Sequence, residues 1–572
     1  MEIFKNRIVQ MLKEHLSEYD AGTIKSLIEV PPDPKMGDYA FPCFSLAKKF
    51  RKAPNFIAKE ITQGLKDTDG YIAHIENAGG YINFFVNQAR FNETVLLKVF
   101  AGGQRYGGSS EGNGKNVVLD FSSPNIAKPF TVGHLRSTVI GNSIYKIYSF
   151  LGYSCVRINH LGDWGTQFGK VIAAYKRWGR PEDLEGTPSE SLMVIFNLYV
   201  RFHKEAEEDP SLEAEGRAWF KKLEEGDEEA RRLWKLFTEI NLKEFKRIYD
   251  LMGVEFDSYA GESFYEDKMD SMLKILEDAG LVEESEGALI VDLSEYKMPP
   301  CLLQKQDGAT LYATRDLTAA VYRAETYNFH KLIYVVGMEQ TLHFKQFFKV
   351  LELLGYKWSK SCVHVPFGLI RFAEGKMSTR QGKVIFLEEV LTQAIEMTSE
   401  IIKEKNPDLV DKEKVARDVG IGAVIFGDLR NNRIKDVKFD WEEVLNFDGE
   451  TGPYVQYTHA RASSISRRGQ KSLDGIQDID FSLLKEDEEA AVVRLLADFP
   501  SRVKAAAEEY EPSIIARYLI DLSRAFNKFY NAHRVLVDEE DLKKARLTLV
   551  EATRQVLANG LSLLGMAAPF EM

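Results

Sequence analysis

Two short stretches of this chain carry residue types and spacings suited to handling a phosphate-bearing ligand. The first runs from Asp120 through Asn125, Lys128, Thr131, Gly133 and His134 to Arg136. It joins an apolar run to a helical pattern, and in open α/β sheets ligands bind at such a strand end. Backbone N–H groups and the helix dipole favour a phosphate there. Gly133 has no side chain, so a flat base can lie on the backbone, while His134 and Lys128 can donate to phosphate oxygens as charge builds. The second stretch, Gly375-Lys376-Met377-Ser378-Thr379-Arg380-Gln381-Gly382-Lys383, is a glycine-bounded polar loop with three cations. Such a loop can close a lysine onto a leaving pyrophosphate. Taken singly, a helix cap with a buried histidine and a solvated surface turn are the plainer readings.

The elements that must position these residues are α/β in type. Val117-Val118-Leu119-Asp120-Phe121 reads as a buried strand. A loop with Pro124 and Pro129 follows, then a helix from about Gly133 with Leu135, Val139, Ile144, Ile147 and Leu151 on one side. Cys155-Val156-Arg157-Ile158 is a second strand, so the segment is a βαβ unit with a parallel sheet. Residues from about 180 to 290 are charged and read as a helical insertion, broken at Pro210 and Gly226. Strand-like runs resume at Lys331–Val336 and Val363–Val365. From about 386 onward the chain reads as helical, with Leu519, Leu522, Phe526, Phe529 and Tyr530 at spacings of three and four. Residues 1–110 form a separate α/β unit. It opens on an amphipathic helix with Ile3, Ile8, Leu12 and Leu16 near one face, and carries an alternating run over Tyr81–Val86. The expected organisation is therefore 1–110, a catalytic domain 111–385 with its insertion, a helical connection 386–440 and a helical domain 441–572.

At 572 residues the chain is too long for one core. It has no apolar run long enough to cross a bilayer, and its charged N-terminus does not read as a signal peptide. A cytoplasmic protein is the expectation. Cys43, Cys155, Cys301 and Cys362 are far apart in sequence, so no structural zinc is expected. The net charge of −12 argues weakly against a nucleic-acid binder, although the local field decides such binding.

Together the two stretches resemble the H-I-G-H and K-M-S-K signatures of class I aminoacyl-tRNA synthetases, and their separation of about 240 residues suits that class. The fuller resemblance is to the arginyl-tRNA synthetase family. It rests on Ser123–Pro129, Asn159-His160-Leu161-Gly162-Asp163-Trp164-Gly165-Thr166-Gln167-Phe168-Gly169, Leu311-Tyr312-Ala313-Thr314-Arg315-Asp316 and Gly449-Glu450-Thr451-Gly452-Pro453-Tyr454-Val455-Gln456-Tyr457. It covers nearly the whole chain and implies a Rossmann-like class I catalytic domain with a helical insertion, an N-terminal α/β domain that meets the outer corner of tRNA, and a C-terminal all-α anticodon-binding bundle. It also implies L-arginine, ATP with Mg2+ and tRNA(Arg) as substrates, an arginyl-adenylate intermediate formed only with tRNA bound, and a monomer. Two positions depart from the pattern. Thr131 stands where the first signature has its first histidine, and Thr379 where the second has its last lysine. Lys128 and Lys376 remain for the phosphates.

The resemblance sets Thr131, Gly133, His134, Lys376, Met377 and Ser378 around ATP. It sets Tyr312, Asp316 and Gln340 against the arginine side chain, with Asn125 and Asp120 at the amino-acid end. Tyr312 and Asp316 are four apart, which puts both on one helical face; read alone, they are a core aromatic and a surface acid. Tyr457 and Arg461 are the expected RNA contacts, whereas Phe526 and Phe529 read as core. Asp163 and Gln167 read equally well as structural. Three rivals remain: a class I synthetase for another amino acid, a tRNA-independent nucleotidyltransferase, and a non-catalytic RNA-binding paralogue.

Overall fold

A computed structural model describes residues 2–126, 128–304, 312–371, 385–469 and 479–572. The chain divides into two units. One comprises Met1–Gly107, Thr458–Pro500 and Asp521–Asn559, the other Gly108–Tyr457, Ser501–Ile520 and Gly560–Met572.

In the first unit, helices α1 (Glu2–His15), α2 (Ala21–Leu27), α3 (Ala47–Phe50), α4 (Pro54–Gly64) and α5 (Gln88–Gly102) accompany an antiparallel sheet. Its strands β1 (Tyr39–Pro42), β2 (Ile72–Ala78) and β3 (Tyr81–Val86) lie in the order β1-β3-β2. The inward stripe of α1 is Phe4, Ile8, Leu12 and Leu16, all nearly inaccessible, and Ile3 faces outward. Ile8, Leu12 and Leu16 lie inward as expected, and only Ile3 gives way, to Phe4, whose ring packs on Tyr71 and Phe91.

The second unit holds the parallel sheet. Strands β4 (Asn116–Asp120), β5 (Ser154–Ile158), β9 (Lys331–Gly337) and β10 (Cys362–Phe367) lie in the order β10-β9-β4-β5, all parallel. Val117, Val118 and Leu119 are wholly buried, as a central strand covered on both faces requires. From β4 the chain crosses by α6 (Leu135–Phe150) to β5 on one side, and the later crossover returns to β9 on the other. The connection direction therefore reverses between β4 and β9, which makes the carboxyl ends of these two strands the natural crevice.

Between β5 and β9 come α7 (Thr166–Trp178), α8 (Pro188–Glu208), α9 (Ser211–Glu224), α10 (Glu228–Met252) and α11 (Met269–Asp278). The start of α8 follows from its sequence: Thr187 and Glu190 form a reciprocal cap ahead of Pro188. Gly253 stops α10 at φ +65°. The insertion is less purely helical than expected. Strands β6 (Glu283–Ser285), β7 (Ala288–Val291) and β8 (Cys301–Gln304) form an antiparallel sheet at its end. Helix α12 (Tyr312–Tyr327) leads into β9, and α13 (Thr341–Leu353) links β9 to β10.

Beyond β10 lie β11 (Ile370–Arg371), α14 (Leu387–Lys405), α15 (Lys412–Leu429), β12 (Val437–Lys438) and α16 (Trp441–Val444). The expected all-helical connection thus contains one strand, β12, which pairs in parallel with β11. The last helices are α17 (Gly452–Arg468), α18 (Asp487–Glu508), α19 (Ser513–Ala532) and α20 (Glu540–Leu563). Phe526 and Phe529 are fully buried, as their spacing implied. Among the described residues no helix is long and apolar enough to cross a membrane.

Candidate active site

The loop leaving β4 is held on several sides. The N–H of Ser122 donates to Ser137 Oγ, at 2.9 Å, and the Ser122 hydroxyl meets Thr138 Oγ1 and Tyr249 OH at 2.8 and 2.7 Å. Ser122 and Ser123 both take positive φ, +71° and +46°, unusual for residues with a Cβ. Asn125 pairs with Gly162: Gly162 N–H donates to the Pro124 carbonyl and Ile126 N–H to the Gly162 carbonyl, each at 3.1 Å. A Cβ at Gly162 would stand 2.1 Å from Asn125 Oδ1 and 3.3 Å from its Cα, so a larger residue there would push the Asn125 side chain aside. The Asn125 side chain is itself exposed.

Thr131 to His134 form a short helical turn leading into α6. The backbone N–H of Thr131 donates to His134 Nδ1 at 3.1 Å, and Thr131 Oγ1 lies 3.2 Å from the same nitrogen. With Nδ1 accepting, the ring proton of the neutral imidazole sits on Nε2, which is left as a donor. Burial depresses the His134 pKa to about 4, and the nearby Lys128 charge pushes it the same way. The ring also packs on Phe130, with centroids 5.0 Å apart. Gly133 is exposed, and an added Cβ there would meet Thr131 Oγ1 alone, at 3.4 Å. Lys128 Nζ lies 5.8 Å from the Tyr199 ring centre. The structure therefore brings Lys128, Thr131, Gly133 and His134 into one place.

Lys376, Met377 and Ser378 lie outside the described residues. The chain that follows them returns to the first signature. Val132 N–H donates to the Ile385 carbonyl at 3.1 Å, Leu387 N–H to the Phe130 carbonyl at 3.0 Å, and Thr131 bridges Phe386. Arg136, the last residue of the first stretch, ties the same region together. It is 1% exposed; Nη1 donates to the Gly368 and Lys435 carbonyls, both at 2.8 Å, and Nε lies 2.8 Å from Asp428 Oδ1. Burial raises Asp428 to about 6 against the pull of Arg136.

The second half of the site is built by α12, α13 and the 258–263 segment. Asp120, at the end of β4, is buried and ion-paired to Arg323 of α12 at 2.8 Å, while its other oxygen accepts from Ser123 Oγ at 2.9 Å. An internal guanidinium thus already engages one oxygen of this expected substrate ligand. Asp316 lies in the first turns of α12, and His343 Nε2 of α13 lies 2.5 Å from its Oδ2. Gln340 is exposed, in the turn between β9 and α13. Tyr312 opens α12 and is 67% exposed, with Arg315 5.9 Å from its ring centre.

Glu262 is a site residue that sequence reading missed. It pairs with Arg315 at 3.1 Å and is largely buried. Burial lifts its pKa to about 7, with Arg315 opposing and the Asp316 and Asp163 charges adding to the rise. Three carboxylates, Glu262, Asp316 and Asp163, therefore share this corner. Asp163 has a structural task there, taking the N–H and hydroxyl of Ser263 at 2.9 and 2.6 Å, and Gln167 donates to the Gly162 carbonyl at 3.2 Å. Of the expected RNA contacts, Tyr457 is 40% exposed. Arg461 is partly buried; it donates to Asn527 Oδ1 at 2.5 Å and lies 5.4 Å from the Tyr530 ring centre.

Comparisons with known proteins cover the chain from end to end. Residues 96–441 match the class I tRNA synthetase (R) catalytic domain, 455–572 the DALR anticodon binding domain, and 2–86 the arginyl tRNA synthetase N-terminal domain. The chain is 54% identical to the arginine–tRNA ligase of Clostridioides difficile over all 572 residues, covering 100% of both. It is 55% identical to that of Clostridium kluyveri over 98% of this chain and 99% of the relative. The arginyl-tRNA synthetase of Thermus thermophilus superposes with a TM-score of 0.81 at 27% identity, covering 100% of both chains. With both signature segments, the parallel sheet and the acidic corner in one chain, and with relatives alike from end to end, this protein belongs to the arginyl-tRNA synthetase family.

Proposed function

We propose the following division of labour for the arginine–tRNA ligase reaction of this chain. MgATP enters as a substrate, with its base over Gly133 and its phosphates toward Lys128, His134 Nε2–H and the segment of Lys376, Met377 and Ser378. Asn125 and Asp120 hold the amino-acid end of L-arginine. The side chain reaches Tyr312, Asp316, Gln340 and Glu262, where a planar cation meets carboxylates. An arginine carboxylate oxygen attacks the α-phosphorus, the bond to pyrophosphate breaks, and arginyl-adenylate forms. With the 2′-OH of the terminal adenosine of tRNA(Arg) as nucleophile, the carbonyl carbon is then attacked and AMP leaves. No side chain becomes a nucleophile; the protein contributes position and fixed charge.

Tyr457 and Arg461 contact the tRNA in this reading, and adenylate formation waits for that tRNA. The chain acts as a monomer in the cytoplasm. The observation that carries the proposal is the position of two groups at the crevice edge of one parallel sheet. The Thr131–His134 turn follows β4, and the Asp316–His343 pair stands beside the end of β9. The test is ATP-dependent charging of total tRNA with each standard amino acid in turn, with and without Lys376→Ala. Arginine should be charged in preference to all others, and the variant should be slowed. Preference for another amino acid removes the specificity assignment, and an unimpaired variant removes the loop assignment.

A further inference from the structure

Asp316 is the acid set against the arginine side chain above, and one of its oxygens is already engaged by His343 Nε2, at 2.5 Å. The two side chains keep 25% and 21% of their surface, so the pair borders solvent rather than the core. The imidazole is braced: Phe344 and Phe347 stand 5.5 and 5.7 Å from it. Phe344 stacks on His364 at 4.2 Å, and His364 Nε2 lies 3.0 Å from the Val336 carbonyl of β9. The orientation of His343 is thus set from the sheet through an aromatic cluster. Arg315, the neighbour of Asp316, gives its Nη1 to Glu262 instead.

A carboxylate has about four lone-pair positions, so one bond to Oδ2 leaves the rest available. What that bond removes is rotation about a broad, roughly two-fold torsion. A carboxylate held in one plane suits a guanidinium, which is planar and donates through a rigid fork. An ammonium has no plane to match and binds a turning carboxylate as well as a fixed one. We propose that His343 is a positioning residue for substrate choice: by holding Oδ2 of Asp316 it sets the carboxylate plane, and so favours a guanidinium over an ammonium of equal charge. The inference rests on the reading that places Asp316 against the arginine side chain.

The test is tRNA-dependent ATP–pyrophosphate exchange by the full chain, with lysine as a competing ammonium. His343→Ala should raise the arginine KM about tenfold, the scale of one lost hydrogen bond to a charged group. The ATP KM and the lysine inhibition constant should hold, so the lysine-to-arginine ratio falls by the same factor. His343→Gln, whose amide reaches the same oxygen, should restore most of it. An unchanged ratio in His343→Ala, an equal rise in both KM values, or a glutamine variant no better than alanine overturns the proposal. Asp316→Asn separates the two levels. If it raises the arginine KM while His343→Ala does nothing, only this inference falls. If it leaves the arginine KM unchanged, the reading beneath it falls as well.

Discussion

The two ends of the crevice are built on different principles. At the nucleotide end, the group that fixes His134 is a backbone N–H, that of Thr131, and Gly133 offers bare backbone. At the amino-acid end, side chains do the work: Asp316 with His343, Glu262 with Arg315, Asp120 with Arg323. A backbone donor survives most substitutions, whereas a buried charge is costly to leave without its partner. This difference makes the side chain at 131 the less critical part of the turn. The bond that orients His134 does not depend on the side chain at 131.

The largest break in that comparison should come from Asp316→Asn. Losing a charge partner for the guanidinium should raise the arginine KM by on the order of a thousandfold and leave the ATP KM unchanged, as read by pyrophosphate exchange. His134→Ala should come next. Removing one preorganised donor lowers kcat by about a hundredfold, with the arginine KM held.

Glu262→Gln sharpens the contrast through pH. In the empty site Glu262 has its pKa raised to about 7, by burial first and then by Asp316 and Asp163, against Arg315. The charged form attracts the guanidinium, so the wild-type arginine KM should rise as pH falls below 7, by at most about tenfold per unit. The glutamine variant should show a flat profile over that range. The same shift bears on folding with the opposite sense: a carboxyl whose folded pKa is raised contributes stability below about 4.5 that is lost as pH climbs through about 7. Smallest should be Thr131→Val. It removes the hydroxyl and keeps the N–H, so kcat should fall by no more than about threefold. A loss in Thr131→Val as deep as that of His134→Ala would erase the contrast between the two ends.

Much of this arrangement was legible before the structure. The run Val117–Phe121 is largely apolar for a reason that pattern reading captures, because a central parallel strand is buried on both faces, whereas Cys155–Ile158 is the sheet's edge strand and buries only Ile158. Gly133 and His134 stood out only in company with the second signature, since alone the pair reads as a helix cap with a buried histidine. What stayed hidden depends on tertiary contact. Strands β6 and β7 are only three and four residues long, so no periodicity could develop. Strand β12 exists because it pairs with β11. Glu262 opens a short 3-10 helical turn more than a hundred residues from Asp120, and its raised pKa comes from burial and neighbours that only folding supplies. Arg136 and Arg323 are among the most deeply buried side chains, which no spacing in the sequence signals. His343 lies three residues after the expected ligand Gln340, but its meaning needed the contact with Asp316.

The most direct test of the account compares arginine with citrulline, its neutral near-isostere, in tRNA-dependent pyrophosphate exchange. Wild type and Asp316→Asn are measured side by side. The account expects a strong wild-type preference for arginine that collapses in the variant while the ATP KM holds. A variant that still prefers arginine to the wild-type degree would contradict it.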